Sequence, residues 1–196
     1  MIYFTSDLHL GHERAIELCF RPFSSAEEMN RMLIENINQT VAPDDELWVL
    51  GDFAHRIHQE QVRELRRQIL CRHVHLVKGN HDKNYAGNHI FQSVQDYKEL
   101  KTPYGKFILF HYPIHEWNAM HYGSVHLHGH IHSRGAHNAE NLKRKIGCRF
   151  FDGSKPDDSS IPLRIYDVGV DANFYKPVSI EEIADLMHLK KNDAVL

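Results

Sequence analysis

Five polar motifs, each directly after a short apolar run, carry the chemistry of this sequence. Asp7 and His9 follow Ile2 to Thr5 as D-L-H, and Asp52 follows Leu47 to Leu50 in L-G-D. Asn80, His81 and Asp82 follow Val74 to Val77 in K-G-N-H-D, His111 follows Phe107 to Phe110, and His130 and His132 follow Val125 to Leu127 in H-G-H-I-H. Carboxylate, imidazole and carboxamide oxygen form a mixed O/N donor set suited to Mn, Fe, Zn or Co, with thiolate absent. Two divalent ions closer than about 4 Å need a bridging anion, which a carboxylate such as Asp52 supplies together with a hydroxide. A phosphate ester is the natural substrate of such a pair: the ions hold its oxygens, acidify the attacking water and stabilise the developing charge.

The densest motif, VHLHGHIHSRGAHN, runs from Val125 to Asn138 and sets His126, His128, His130 and His132 at every second position. On a straight strand all four would share a face. Gly129 marks a bend or strand end, so the two pairs diverge: His130 and His132 are the ligand candidates, and His126 and His128 are packed or hydrogen-bonded strand residues. His137 either lines the site or lies on a loop. His55, His58, His73, His75, His89, His115, His121 and His188 are read as structural. His12 and Arg14 open the helix after D-L-H, where a helix N-terminus favours anions, and are candidate contacts to substrate phosphate.

The elements that must position these groups alternate. The runs above and Leu163 to Val170 read as strands. Ala15, Leu18 and Cys19 mark one helical face, ended by Arg21-Pro22; Ser25-x-x-Glu28 is a capping box before Met29, Leu33 and Ile37. Val62, Leu65 and Ile69 mark a third helix, and a second capping box, Ser179-x-x-Glu182, starts a C-terminal one. This alternation predicts an α/β domain, and open α/β sheets bind ligands beyond the carboxyl ends of their strands, where the five motifs lie. The 196 residues suit one domain over 1–196, with a loop insertion at about 133–162 that is rich in Arg, Lys, Asp, Ser and Gly.

A formal net charge of -3 leaves no global footprint for nucleic acid. Cys19, Cys71 and Cys148 are far apart and outside any C-x-x-C pattern, as incidental thiols in a reducing cytosol would be. Charge arrives at Asp7, too soon for a signal peptide, and no apolar run approaches a membrane span, so the expected location is cytoplasmic.

In that order, D-x-H, G-D, G-N-H-D, a lone His after a strand and G-H-x-H resemble the calcineurin-like metallophosphoesterase superfamily, from Asp7 to His132. The tail DVGVDANFYKPVSIEEI further resembles the end of its small bacterial and phage members. The resemblance implies two packed β-sheets flanked by helices, with a dimetal site at the strand C-terminal ends. Carried over, Asp7, His9, Asp52 and His132 would hold one ion and Asp52, Asn80, His111 and His130 the other, with Asp52 bridging. His81 would protonate the leaving oxygen after attack by the bridging hydroxide, and Asp82 would orient His81. The expected cofactors are two divalent ions per chain, manganese first among Mn, Fe, Zn, Ni and Co. The expected substrate is a phosphate ester, a nucleotide among the candidates. Diesters are favoured because no abundant basic cluster awaits a monoester dianion; a phosphomonoesterase acting on a small metabolite or nucleotide is the alternative. Lys143-Arg144-Lys145 is a candidate nucleotide or nucleic-acid contact. A non-catalytic scaffold of the same fold would be expected to lack ligands or the G-N-H histidine, and a loose metal buffer would not need ligands spread over five strand ends.

Overall fold

The computed structural model describes residues 1–82, 89–147 and 160–192. In chain order the elements are β1 (Ile2–Thr5), α1 (Glu13–Leu18), α2 (Ala26–Thr40), β2 (Glu46–Val49), α3 (Gln59–Arg67), β3 (His73–Val77), β4 (Ser93–Gln95), β5 (Lys98–Thr102) and β6 (Gly105–Leu109). A single 3₁₀ turn (Met120–Tyr122) precedes β7 (Val125–His128), α4 (Gly135–Asn141), β8 (Lys145–Gly147), β9 (Ser160–Pro162), β10 (Ile165–Asp167), β11 (Val178–Ser179) and α5 (Ile180–Leu186).

The strands form two mixed sheets, in the orders β11-β1-β2-β3-β4 and β10-β7-β6-β5, and a separate β8-β9 pair. Within the first, β1 to β4 run parallel and β11 antiparallel; within the second, β6, β7 and β10 run parallel. Phe4, Trp48, Leu50 and Val77 of the first sheet bury against Phe107, Leu109, Leu127 and Tyr166 of the second, with the Phe4 and Phe107 rings stacked 6.2 Å apart. The other face of the first sheet is covered by Met29, Leu33 and Ile37 of α2 and Val62 of α3. Strands buried on both faces read as continuous apolar runs, which is why β1, β2 and β3 stand out in the sequence. A bridge from Ser6 to Gly169 ties the two sheets together just beyond β1 and β10.

Several expectations change. Leu18 is exposed at the end of α1, and Ile69 packs from beyond α3. Only half of the first capping box forms: Ser25 accepts from Glu28 N–H, while the Glu28 carboxylate accepts from Ser24. The Ser179–Glu182 box is complete. The stretch around 133–162 is not a plain loop, since α4, β8 and β9 lie within it; Cys148, Phe150 and Phe151 fall outside the described residues. No helix among the described residues is long and apolar enough to cross a membrane.

Candidate metal centre

All five motifs arrive at one edge of the sandwich because the parallel strands β1, β2, β3, β6 and β7 end there. The loops after β1 and β2 stay paired past the strands, with Asp7 N–H donating to Gly51 O and His9 N–H to Asp52 O. Asp7, His9, Asp52, His130 and His132 all have left-handed backbones, with φ between 46° and 72°. Non-glycine residues seldom adopt this conformation, Asp and His being among those that tolerate it best, and it persists where surrounding structure enforces it. Here it turns each side chain off its strand direction and into a shared space.

The side chains form two groups around Asp52. In the first, His9 Nε2 lies 3.2 Å from His132 Nε2, 4.0 Å from Asp7 Oδ1 and 3.6 Å from Asp52 Oδ2. In the second, Asn80 Oδ1, His111 Nε2 and His130 Nδ1 make a triangle with sides of 3.1, 3.1 and 3.2 Å, and His111 Nε2 is 3.6 Å from Asp52 Oδ2. Asp52 Oδ2 therefore stands between the groups, while its Oδ1 accepts from His81 N–H at 2.9 Å.

The hydrogen bonds behind the groups show what they are built to hold. His111 Nδ1 donates to Leu50 O at 2.8 Å and His132 Nδ1 to the Asp171 carboxylate at 2.8 Å, so in the neutral rings both Nε2 atoms present lone pairs. Asn80 Oδ1 then faces His111 Nε2 acceptor to acceptor. Asp7 Oδ1 is buried with no hydrogen-bond partner among the described residues. Acceptors converging on one another, with an orphaned buried carboxylate oxygen, suit a cation, and the O/N donor set suits a divalent transition metal.

Electrostatics agree. Burial pushes the Asp7 carboxyl up to about 7, despite the opposing charge of His132. Burial and the charges of His132 and Arg21 push His9 down. Burial also opposes protonation of His132, but its bonds to Asp171 and Cys19 and the nearby charge of Asp7 together outweigh this and raise it to about 10. Without a cation, the site holds protons in its place.

The supporting residues are partly unexpected. Asp82 does not orient the His81 ring as expected: its Oδ2 accepts from Asp52 N–H and Gly79 N–H at 2.5 and 2.9 Å, and its Oδ1 from Phe53 N–H at 3.0 Å. It clamps the loop after β2 to the loop after β3. Arg21, buried, makes a two-pronged pair with Asp171 at 2.9 and 2.8 Å and donates to Asp7 O and Leu8 O, so one guanidinium links both ends of the first group. The Asp171 carboxylate lies in the tail motif, but nothing in the spacing announces its partner.

His81 lies at the mouth, its Nε2 3.9 Å from Asp52 Oδ2. His55, read as structural, belongs beside it: its ring lies 4.3 Å from that of His81 and stacks on His12 at 3.7 Å. His9, His12 and His55 are close enough to share an ion, but two parallel rings 3.7 Å apart cannot both aim in-plane lone pairs at one point. Burial and neighbouring histidines push His12 down to about 4, so its ring is neutral near pH 7. The six-residue α1 is too short for the expected helix-end anion site at His12, and Arg14 lies exposed on it. Tyr112 packs its ring 4.6 Å from His130.

His126 is buried, with Nδ1 to Ile108 O and Nε2 to Tyr112 O, and His128 bonds Gly129 O; both are strand residues, as expected. His137 lies in α4 and bonds Asn141. Lys143 and Arg144 are exposed between α4 and β8, and exposed Lys145 opens β8.

Residues 1–150 match a family model described as the calcineurin-like phosphoesterase superfamily domain, a span that contains both groups of the site. An uncharacterized protein of Methanocaldococcus jannaschii is 31% identical over 191 residues, covering 97% of this chain and 93% of that protein. The gene 66 protein of Mycobacterium phage L5 is 28% identical over 161 residues, 67% of this chain and 77% of its own. A crystal structure of a protein of unknown function from Aquifex aeolicus superposes with a TM-score of 0.68 at 26% identity, over 95% of this chain and 98% of the other.

Proposed function

The chain belongs to the calcineurin-like phosphoesterase superfamily, and from that premise we propose that it hydrolyses phosphate esters, diesters before monoesters, with two divalent ions. Asp7, His9, Asp52 and His132 would hold one ion and Asp52, Asn80, His111 and His130 the other, with Asp52 common to both. The observation that carries this is the facing of acceptor on acceptor, Asn80 Oδ1 on His111 Nε2 at 3.1 Å, beside the partnerless Asp7 Oδ1. Bound there, divalent ions supply Lewis-acid charge neutralisation and lower the pKa of water.

The chain's own groups do the rest. His81 is positioned at the mouth by its N–H bond to Asp52 Oδ1, where its ring can protonate the departing oxygen. Neutral His12 offers a hydrogen bond to a non-bridging phosphate oxygen without adding charge. Arg21, the guanidinium beside the first group, is committed to Asp171, which supports a preference for the singly charged diester over the doubly charged monoester. Manganese is the first choice of ion for this donor set.

The test is a panel of bis(4-nitrophenyl) phosphate and 4-nitrophenyl phosphate with Mn, Zn, Ni and Mg supplied in turn to untagged, chelator-stripped protein. Diester turnover above monoester turnover, highest with Mn, is expected. Monoester turnover alone would replace the diester reading with a phosphomonoesterase, and failure to bind any of the ions would remove the metal centre.

A further inference from the structure

Helix α1 ends in a Schellman turn, with Arg21 N–H donating to Ile16 O at 2.8 Å and Phe20 N–H to Glu17 O at 3.3 Å. The left-handed position of such a turn is usually glycine. Here it is Phe20, with φ at 53° and 79% of its surface exposed. For a bulky side chain the conformation is strained, and a ring in water gains nothing from burial. Local folding therefore favours a different residue at this position.

The surroundings tie Phe20 to the metal centre. On one side of it Cys19 Sγ lies 3.3 Å from His132 Nδ1; on the other, Arg21 holds Asp171 and Asp7 O. Arg134, two residues after His132, sets its guanidinium 5.7 Å from the centre of the Phe20 ring. An exposed aromatic ring and an exposed planar cation thus stand together, on backbone anchored to two candidate ligands.

We propose that Phe20 and Arg134 form a stacking subsite for a nucleobase, and that the substrate is a nucleotidyl phosphodiester whose scissile phosphate lies at the metal centre. Aromatic faces combined with arginine are how single-stranded nucleic acid is held without sequence choice, because every base has a π-face and guanidinium stacks on it while countering the adjacent phosphate. The inference rests on the phosphodiesterase reading above and adds the chemistry of the group esterified.

Binding and turnover are tested separately. A fluorescent, phosphorothioate-linked tetrathymidylate is titrated by anisotropy into wild type, Phe20→Gly and Phe20→Trp, in EDTA and again with Mn. Phe20→Gly should bind about tenfold more weakly, the size of one lost base stack, and Phe20→Trp at least as tightly as wild type. Because glycine suits the turn, Phe20→Gly should also melt no earlier than wild type, which separates lost stacking from misfolding. Wild-type binding no tighter than that of Phe20→Gly in both conditions overturns the proposal. In turnover, kcat/KM is compared for thymidine 5′-(4-nitrophenyl phosphate) and ethyl 4-nitrophenyl phosphate, which share a leaving group. The preference for the thymidine ester should fall about tenfold in Phe20→Gly, and equal losses on both esters would overturn the subsite. Absence of wild-type hydrolysis of both esters would count against the phosphodiesterase reading, while the binding series still decides the stacking.

Discussion

Asn80 and His81 are adjacent, yet their side chains serve different places. Asn80 Oδ1 joins the triangle with His111 and His130, whereas the His81 ring stays at the mouth, partly exposed, with rings of His9 and His55 alongside. Consecutive side chains diverge, so one loop can deliver a ligand inward and a proton donor outward. If His81 is the general acid, His81→Asn keeps both ions and lowers kcat by roughly 10²–10⁴. The loss should track the leaving group: 4-nitrophenolate departs as an anion and needs little help, while an alkoxide needs protonation. Metal content by elemental analysis and kcat on one aryl and one alkyl diester are the measurements. Equal losses on the two would assign His81 to stabilising phosphoryl charge, and loss of an ion would place it in the coordination shell.

The elements explain what the sequence disclosed and what it hid. Apolar runs followed at once by Asp, Asn or His made β1, β2, β3, β6 and β7 legible together with the polar groups at their ends. Strands β4, β5 and β11 escaped because SVQ, KELKT and VS lack a buried apolar run and lie at or beside sheet edges. Asp171 and Arg21 escaped because 150 positions separate them, and only the fold reveals that their pairing fixes His132. The left-handed backbones of the site escaped too, since residues such as His9 and His132 give no local hint of positive φ. Gly129 was legible as a bend, but its role is spatial: a Cβ there would overlap Ser6 Oγ and Asp7 Oδ2. Gly129→Ala should therefore cost about 1–3 kcal/mol through overpacking and weaken metal binding by displacing Asp7. Gly135→Ala is the matched control, because its Cβ would meet only Ala172 O at 3.6 Å. Denaturant melts and metal titrations of both variants check this, and equal behaviour would show that the loop after β7 tolerates a side chain at its closest approach.

At the scale of the molecule, the metal-free fold contains a strain that pH should reveal. Against burial, the bonds to Asp171 and Cys19 and the charge of Asp7 together hold His132 protonated up to about 10, against an ordinary value of 6.5. Folding therefore stabilises the imidazolium, and that stability is complete below 6.5 and lost progressively as pH rises toward 10. From pH 7 to 9 the unfolded chain has released this proton and the folded chain still keeps it, so metal-free stability should fall by up to about 1.4 kcal/mol per pH unit. Asp7, raised to about 7 by burial, adds a decline at lower pH, from its ordinary 3.8 to about 7. His9, His12 and His126, all pushed down chiefly by burial, act the other way below 6.5, where the unfolded chain takes up protons that the folded one refuses. The alkaline limb thus belongs chiefly to His132. A divalent ion at the first group would take the place of its Nε2 proton, so metal binding should release protons and flatten that limb. Melting temperatures from pH 7 to 9, with EDTA and with saturating Mn, should diverge as pH rises, the EDTA series falling and the Mn series staying nearly level. Calorimetric titration of Mn in two buffers of different ionisation enthalpy should show net proton release at pH 7. Parallel melting profiles and no proton release would mean that the ion binds without engaging His132, and would separate Asp171 from the metal centre.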